Sequence, residues 1–392
     1  MRYHQFFTNK LIFLIPFGVI FFANLIVTQI RGFEYAGQLA VFIASSSFLA
    51  IILGLRWDIS LLATPAKKSG DNLVYGLISI LLLSVLLICI FFIFSIVFDV
   101  FDEFLLLIFL SSISISISEL LVNIFLKFQN SYLYILFRSL PYLFLVCFVT
   151  FEVSIEITWI SSSFMSLFFL ALVSVRYIKR LNFNISIFPK NIINQMLLKF
   201  VPTFSAVITN SIMLLWLVYI QKNFGDEITG IWINAYRIFS LPIALMGAAF
   251  LPVLLSKLST YESFKHQIKK MIDFNMLLLP LVIFIILTIF TFGNELFHFL
   301  TNSTQLIDIK IMLYALFIGF LQYSLQYWKE LFQSINRDLL FLFIILIQPF
   351  LAVSIYLFYI PTSIFVLLNM VLVISLISFV VLLFILFYLY FL

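Results

Sequence analysis

The sequence predicts an all-α integral membrane protein of about twelve transmembrane helices. Of its 392 residues 64% are apolar and 10% charged, 51 are phenylalanine, and the mean hydropathy is +1.21. No soluble fold of this length has interior enough to hide that surface. Apolar runs long enough to cross a bilayer recur along the chain. The loops between them alternate in charge, as they must if the chain weaves across a membrane.

The first six runs lie near 11–30, 35–55, 73–97, 104–126, 133–151 and 157–175. The first follows Arg2 and Lys10 like a signal peptide. It lacks a small-x-small cleavage site and another run follows at once, so it is expected to stay as span 1. The longest polar interval, 176–199, then brings five basic residues, Arg176, Lys179, Arg180, Lys190 and Lys199, and no acid. Six further runs lie near 200–221, 230–255, 274–292, 311–328, 339–360 and 363–389. The expected organisation is an N-terminal six-helix bundle (1–175), a basic cytoplasmic linker (176–199) and a C-terminal six-helix bundle (200–392).

Orientation follows from the basic residues. Of the 22 lysines and arginines, all but Arg31, Lys222, Lys310 and Arg237 fall at the amino terminus or in even-numbered loops, Arg138 being counted among them. The odd loops instead collect acids such as Asp99, Asp102, Glu103, Glu152 and Glu156. By the positive-inside rule both termini are cytoplasmic. Trp57, Trp159, Trp232 and Trp328 lie near span ends, where an aromatic belt would place them.

This accounting leaves two charges inside spans, Glu119 in span 4 and Arg237 in span 8. Arg237 follows Gly230 by seven residues, which puts its guanidinium roughly 10 Å below the outer face. A charge at span depth costs about 2.5–3.5 kcal/mol on insertion scales and normally faces protein or water. Asn234 shares its helical face. Either Arg237 contacts an anion in a transport path, or it snorkels or holds a neighbouring helix. In span 4, Ser112, Ser116, Glu119, Asn123 and Lys127 form one polar stripe, which suits a helix interface, a wet cavity or an ion-coupling site.

The halves look related. Span 1 carries Pro16 and Asn24, span 7 carries Pro202 and Asn210 at the same spacing, and both enter from the cytoplasmic side, as parallel repeats would. Aligning Gly37 with Gly230 places Ala44 opposite Arg237, so the charge is asymmetric. Cys89 and Cys147 sit in apolar runs, and His4, His266 and His298 are scattered, so neither a metal site nor another cofactor is expected.

Two segments carry a family resemblance. Span 2 continues into Leu55, Arg56, Trp57, Asp58 and Pro65, and span 8 reads Gly230, Trp232, Ala235, Arg237, Leu241, Pro242, Gly247 and Ala249. Both patterns resemble the polysaccharide transporter family, and the span count and linker position are similar over the whole chain. The resemblance is to Wzx-type O-antigen flippases of the multidrug/oligosaccharidyl-lipid/polysaccharide (MOP) superfamily. It implies two six-helix bundles around a central cleft lined by spans 1, 2, 7 and 8, as in the MATE fold. It also implies a non-enzymatic function, movement of an undecaprenyl-diphosphate-linked oligosaccharide from the cytoplasmic to the periplasmic leaflet of a bacterial inner membrane. Membrane lipid, a polysaccharide polymerase and a chain-length regulator are the implied partners, and nucleic acid is not. Where relatives carry an acid in span 1 or 7, this chain has Asn24 and Asn210.

Arginine suits a diphosphate, because its planar fork matches phosphate oxygens and stays charged when partly desolvated. Asn24, Asn210, Asn234, Gln322 and Gln326 are the expected hydroxyl partners for sugars, although each equally suits a helix-to-helix hydrogen bond. Glu119, Arg56 and Asp58 are expected to have coupling or structural roles. Two rivals stand beside this reading. A multidrug or metabolite antiporter of the same fold would want an acidic coupling site, for which Glu119 qualifies, but Arg237 would repel cationic cargo. A membrane-integral polymerase or glycosyltransferase would want a large outer loop, and every outer loop here is short; Asp99, Asp102 and Glu103 also suit a helix amino terminus.

Twelve spans require reporter fusions after Glu103 and after Lys190 to land on opposite sides of the membrane. Fusions reporting the same side would remove a span from the count.

Overall fold

The computed structural model describes residues 14–58, 61, 66–98, 102–128, 130–151, 153–181, 194, 196, 199–258, 264–303, 307–334, 346–354 and 361–391. The regular elements among these residues are all helices, with no strand among them. The helices are α1 (Ile15–Gly54), α2 (Ala66–Phe98), α3 (Glu103–Lys127), α4 (Ser131–Val149), α5 (Ile155–Ile178), α6 (Phe200–Leu258), α7 (Phe264–Thr301), α8 (Ile309–Ser334) and α9 (Ile364–Phe391). A shorter helical stretch covers 346–354 within predicted span 11. Among the described residues seven helices are long and apolar enough to cross a membrane, which makes this a multi-pass membrane protein. Most of the basic linker, and Asp99 of the acidic cluster, lie outside the described residues.

Spans 1 and 2 are not separated by a loop. They form the single helix α1, broken only at Gly32 (φ 84°, ψ 178°), and spans 7 and 8 likewise form α6, broken at Gly225 (φ 85°, ψ 173°). At 40 and 59 residues these helices are roughly 60 and 90 Å long, too long for one crossing. The left-handed extended region at each break is open to glycine and costly for any other residue. Gly32 and Gly225 stand in the same register as Gly37 and Gly230, so the repeat extends to the backbone conformation.

The chain groups into two compact units. One comprises Gly18–Ile30 and Gln38–Leu214. Its core joins Trp57, Leu61, Leu73, Ile80, Leu120, Phe125, Phe137 and Leu170. Helix α3 packs most extensively on α5, and both present small polar residues. Ser112 and Ser116 donate to the carbonyls of Ile108 (2.6 Å) and Ser112 (2.8 Å), and the Ser116 hydroxyl also lies 2.9 Å from the α1 carbonyl of Ala50. Ser162 and Ser163 of α5 bond back to Thr158 and Trp159 in the same way. Such back-bonding satisfies each hydroxyl inside its own helix, and the small side chains let helices approach closely.

The other unit comprises Met1–Phe17, Arg31–Gly37 and Leu215–Leu392. Within it the α1 segment after Gly32 lies against α6 with backbone touching backbone. A Cβ on Gly37 would strike the Asp226 carbonyl oxygen, and a Cβ on Gly230 would strike the Phe33 carbonyl oxygen. Phe33 stands to Asp226 as Gly37 stands to Gly230, so the contact is reciprocal. Phe33 also stacks on Phe297 of α7, with centroids 5.9 Å apart.

Trp57, Trp159, Trp232 and Trp328 correct one expectation: all four are buried rather than turned outward as an interfacial belt. Their positions near span ends reflect packing.

Gly37→Leu or Gly230→Leu is expected to cost at least the roughly 1–3 kcal/mol typical of an overpacked site, because the obstacle is backbone. Gly54→Ala, with nothing within 4 Å of an added Cβ, is the control. Thermal unfolding and monodispersity in detergent give the readout.

Candidate functional site

Helix α3 enters with Asp102 as its N-cap, the carboxylate accepting from the Phe104 amide (2.9 Å) and the Leu105 amide (3.4 Å). That engages one member of the acidic cluster in capping, where a negative charge also favours the helix dipole. Four turns on, α3 presents Glu119. Its partner is Arg138 of α4, with Nη1 3.2 Å from Oε2, and the same Nη1 donates to the Tyr134 hydroxyl at 2.9 Å.

This corrects the charge accounting, which placed Arg138 with the cytoplasmic ends. Arg138 lies seven residues into α4, roughly 10 Å from its first residue, which is the depth the sequence assigns to Glu119. Counting basic residues by loop missed it, because one in-span cation barely alters so large an imbalance. The signal available was its place two turns into an apolar run at the depth of Glu119.

The pair opens onto a cavity of about 140 Å³ lined from four helices of the first unit. Helix α1 supplies Ile20 and Ser47, α3 supplies Ser118 and Glu119, α4 supplies Arg138, Pro141 and Tyr142, and α5 supplies Trp159 and Ser163. Tyr142 and Trp159 meet with centroids 5.3 Å apart and planes at 59°. Pro141, which has no N–H to give the Phe137 carbonyl one turn earlier, interrupts the α4 hydrogen-bond ladder beside the cavity. The α3 stripe therefore divides: Ser112, Ser116 and Asn123 are buried in helix packing, and Glu119 faces the cavity.

Asn24 is buried in the same unit and donates to its own helix at the Ile20 carbonyl (2.6 Å), while Thr28 bonds back to Asn24. Arg56 and Asp58 pair at 3.9 Å in the turn after α1, where Leu55 and Arg56 have positive φ. That turn drives Trp57 into the core against Tyr75 (6.0 Å), with the Lys199 ammonium 5.6 Å from the Trp57 ring.

Arg237 belongs to the second unit, half-buried on α6. Around it stand Tyr236, Ser240 and Tyr323, the Tyr323 hydroxyl hydrogen-bonding to the side chains of Tyr236 and Ser240 within the field of the guanidinium. Gly319 of α8 permits this approach, since a Cβ there would collide with Ser240. Sequence reasoning missed Tyr323, because nothing local marks one of 17 tyrosines as close to Arg237, and it passed over Tyr236 although that residue immediately precedes Arg237. Asn234 is fully buried and donates to the Gly230 carbonyl (2.8 Å). Gln322 donates to Ser375 of α9 (3.2 Å) and lies 3.5 Å from Gln348. Asn210 and Gln326 have side chains outside the described residues.

No family model and no curated protein matches the sequence. Solved structures do match. The MATE multidrug transporter DinF-BH superposes with a TM-score of 0.66 at 15% identity, covering 99% of this chain and 97% of that one. An inward-facing multidrug resistance MATE family transporter of the MOP superfamily gives 0.62 at 15%, covering 94% and 96%. The chain has the MATE/MOP transporter fold. A MOP superfamily transporter from Pyrococcus furiosus, whose reverse pocket polarity suggests a different function for that protein, gives 0.61 at 14%, covering 96% and 93%.

Removing one partner of the Glu119–Arg138 pair strands the other. Arg138→Met is expected to destabilise by about 1–3 kcal/mol, a range suited to a half-exposed pair. Arg138→Met with Glu119→Gln should recover most of that loss. Thermal unfolding of the single and double variants measures the coupling.

Proposed function

We propose that this protein moves an undecaprenyl-diphosphate-linked oligosaccharide across a bacterial inner membrane, from the cytoplasmic to the periplasmic leaflet. The observation that carries the proposal is Arg237, a half-buried arginine in the apolar run 230–255 of α6, with the Tyr323 hydroxyl in its field. A diphosphate cannot cross hydrocarbon without something to replace its water, and a guanidinium with neighbouring hydroxyl donors supplies that replacement.

The state of Glu119 favours the same reading. A cation exporter needs an acid to attract cargo or exchange ions, but Glu119 is opposed by Arg138. The fold itself is compatible with either cargo. Two neighbours are described as multidrug transporters and a third as having a pocket of reverse polarity. In this proposal 1–175 and 200–392 act as two bundles joined by a cytoplasmic linker, both termini are cytoplasmic, and a polymerase and chain-length regulator receive the product.

Arg237→Ala should reach near-normal abundance, because removing an intramembrane cation lowers the cost of insertion, and should lose most flipping of fluorescent lipid-linked oligosaccharide in proteoliposomes. Arg237→Lys should recover only part, since a point charge cannot reproduce bidentate phosphate contact. Full flipping by Arg237→Ala, or efflux of a cationic dye in its place, would reject the proposal in favour of a drug antiporter.

A further inference from the structure

The cavity of the first unit has features that the anion role of Arg237 does not use. It is neutral overall, because Glu119 and Arg138 cancel. That removes the attraction that would draw in a phosphate or an organic cation. What remains is a mixture of donors and acceptors: the outer faces of the ion pair and the Ser47 and Ser118 side chains. Beside them stand two rings, Tyr142 and Trp159.

Trp159 narrows the choice. The residue is 3% exposed, and its Nε1, itself buried, makes no hydrogen bond among the described residues. A buried indole N–H ordinarily finds a partner, and because this ring lines the cavity a small turn of it would bring the N–H to a ligand acceptor.

We infer that this cavity is a saccharide-binding site that takes one sugar ring. A sugar presents C–H faces that pack on aromatic rings, and a rim of hydroxyls that each donate and accept. Aromatic walls, carboxylate and guanidinium edges, serines and an unpaired indole N–H in one neutral pocket match both parts of that surface. The size agrees: about 140 Å³ suits a single ring and is below the roughly 300–1,000 Å³ that holds a drug-sized ligand. Arg138 and Glu119 orient each other and leave their remaining hydrogen-bonding positions for hydroxyls, as an ion pair in a polar recognition site can. All the residues of the sugar site belong to the first unit, whereas Arg237 belongs to the second. The inference rests on the lipid-linked-oligosaccharide reading for its biological ligand, but its binding test does not.

The test uses the full-length protein in nanodiscs. Saturation-transfer NMR with methyl glucoside, methyl galactoside, methyl rhamnoside and methyl N-acetylglucosaminide reads sugar binding, and undecaprenyl diphosphate and tetraphenylphosphonium are titrated separately. At least one glycoside is expected to bind, and Trp159→Phe, which keeps the ring and removes the donor, should weaken it roughly fivefold or more, the worth of one hydrogen bond. Ser118→Ala should weaken it to a lesser degree. Glycoside binding unaffected by both Trp159→Phe and Ser118→Ala would overturn the site, as would no signal from any glycoside. If undecaprenyl diphosphate still binds through Arg237 in that event, the flippase reading survives. Tetraphenylphosphonium binding that Trp159→Phe weakens would count against both.

Discussion

Hydrocarbon offers no hydrogen bonds, so a polar group at span depth is costly unless the protein itself answers it. Ser112 and Ser116 of α3 and Ser162 and Ser163 of α5 are answered by carbonyls of their own helices. Asn24 and Asn234 do the same and are thereby engaged in holding their helices. Gln322 finds Ser375 on a neighbouring helix. Charges cannot be satisfied so locally, and each one drew a cluster around it: Tyr134 and Arg138 about Glu119, and Tyr236, Ser240 and Tyr323 about Arg237.

Much of the fold was legible because hydropathy is summed over whole spans and tolerates local error. The positions of α2, α3, α4, α5, α7 and α9 follow the apolar runs closely. What hydropathy cannot show is whether two runs are joined by a loop or by one residue with a permissive backbone, and so the continuity of α1 and α6 through Gly32 and Gly225 went unread. The alignment of Gly37 with Gly230 was within reach, but that each needs to be glycine because the other's helix touches it is a fact of packing.

The candidate sites were legible to a lesser degree, for a physical reason. A polar residue in an apolar helix announces that it is answered, but its sequence position does not say by what. Asn24, Asn234 and Gln322 sit where expected with partners inside the protein, whereas Tyr142, Trp159 and Tyr323 were lost among the many aromatics of this chain. The Leu55–Asp58 motif is a strained turn that plants Trp57 in the core, so there a resemblance marked architecture before chemistry.

The Glu119–Arg138 pair also bears on how the chain enters the membrane in the first place. Helices α3 and α4 are consecutive, separated only by the three residues 128–130, so they can leave the translocation machinery as a hairpin. Either helix alone would bring a charge to lipid at a cost of about 2.5–3.5 kcal/mol. Together they bring a closed pair at matched depth. The ion pair thus ties the cost of placing α3 in a membrane to the presence of α4.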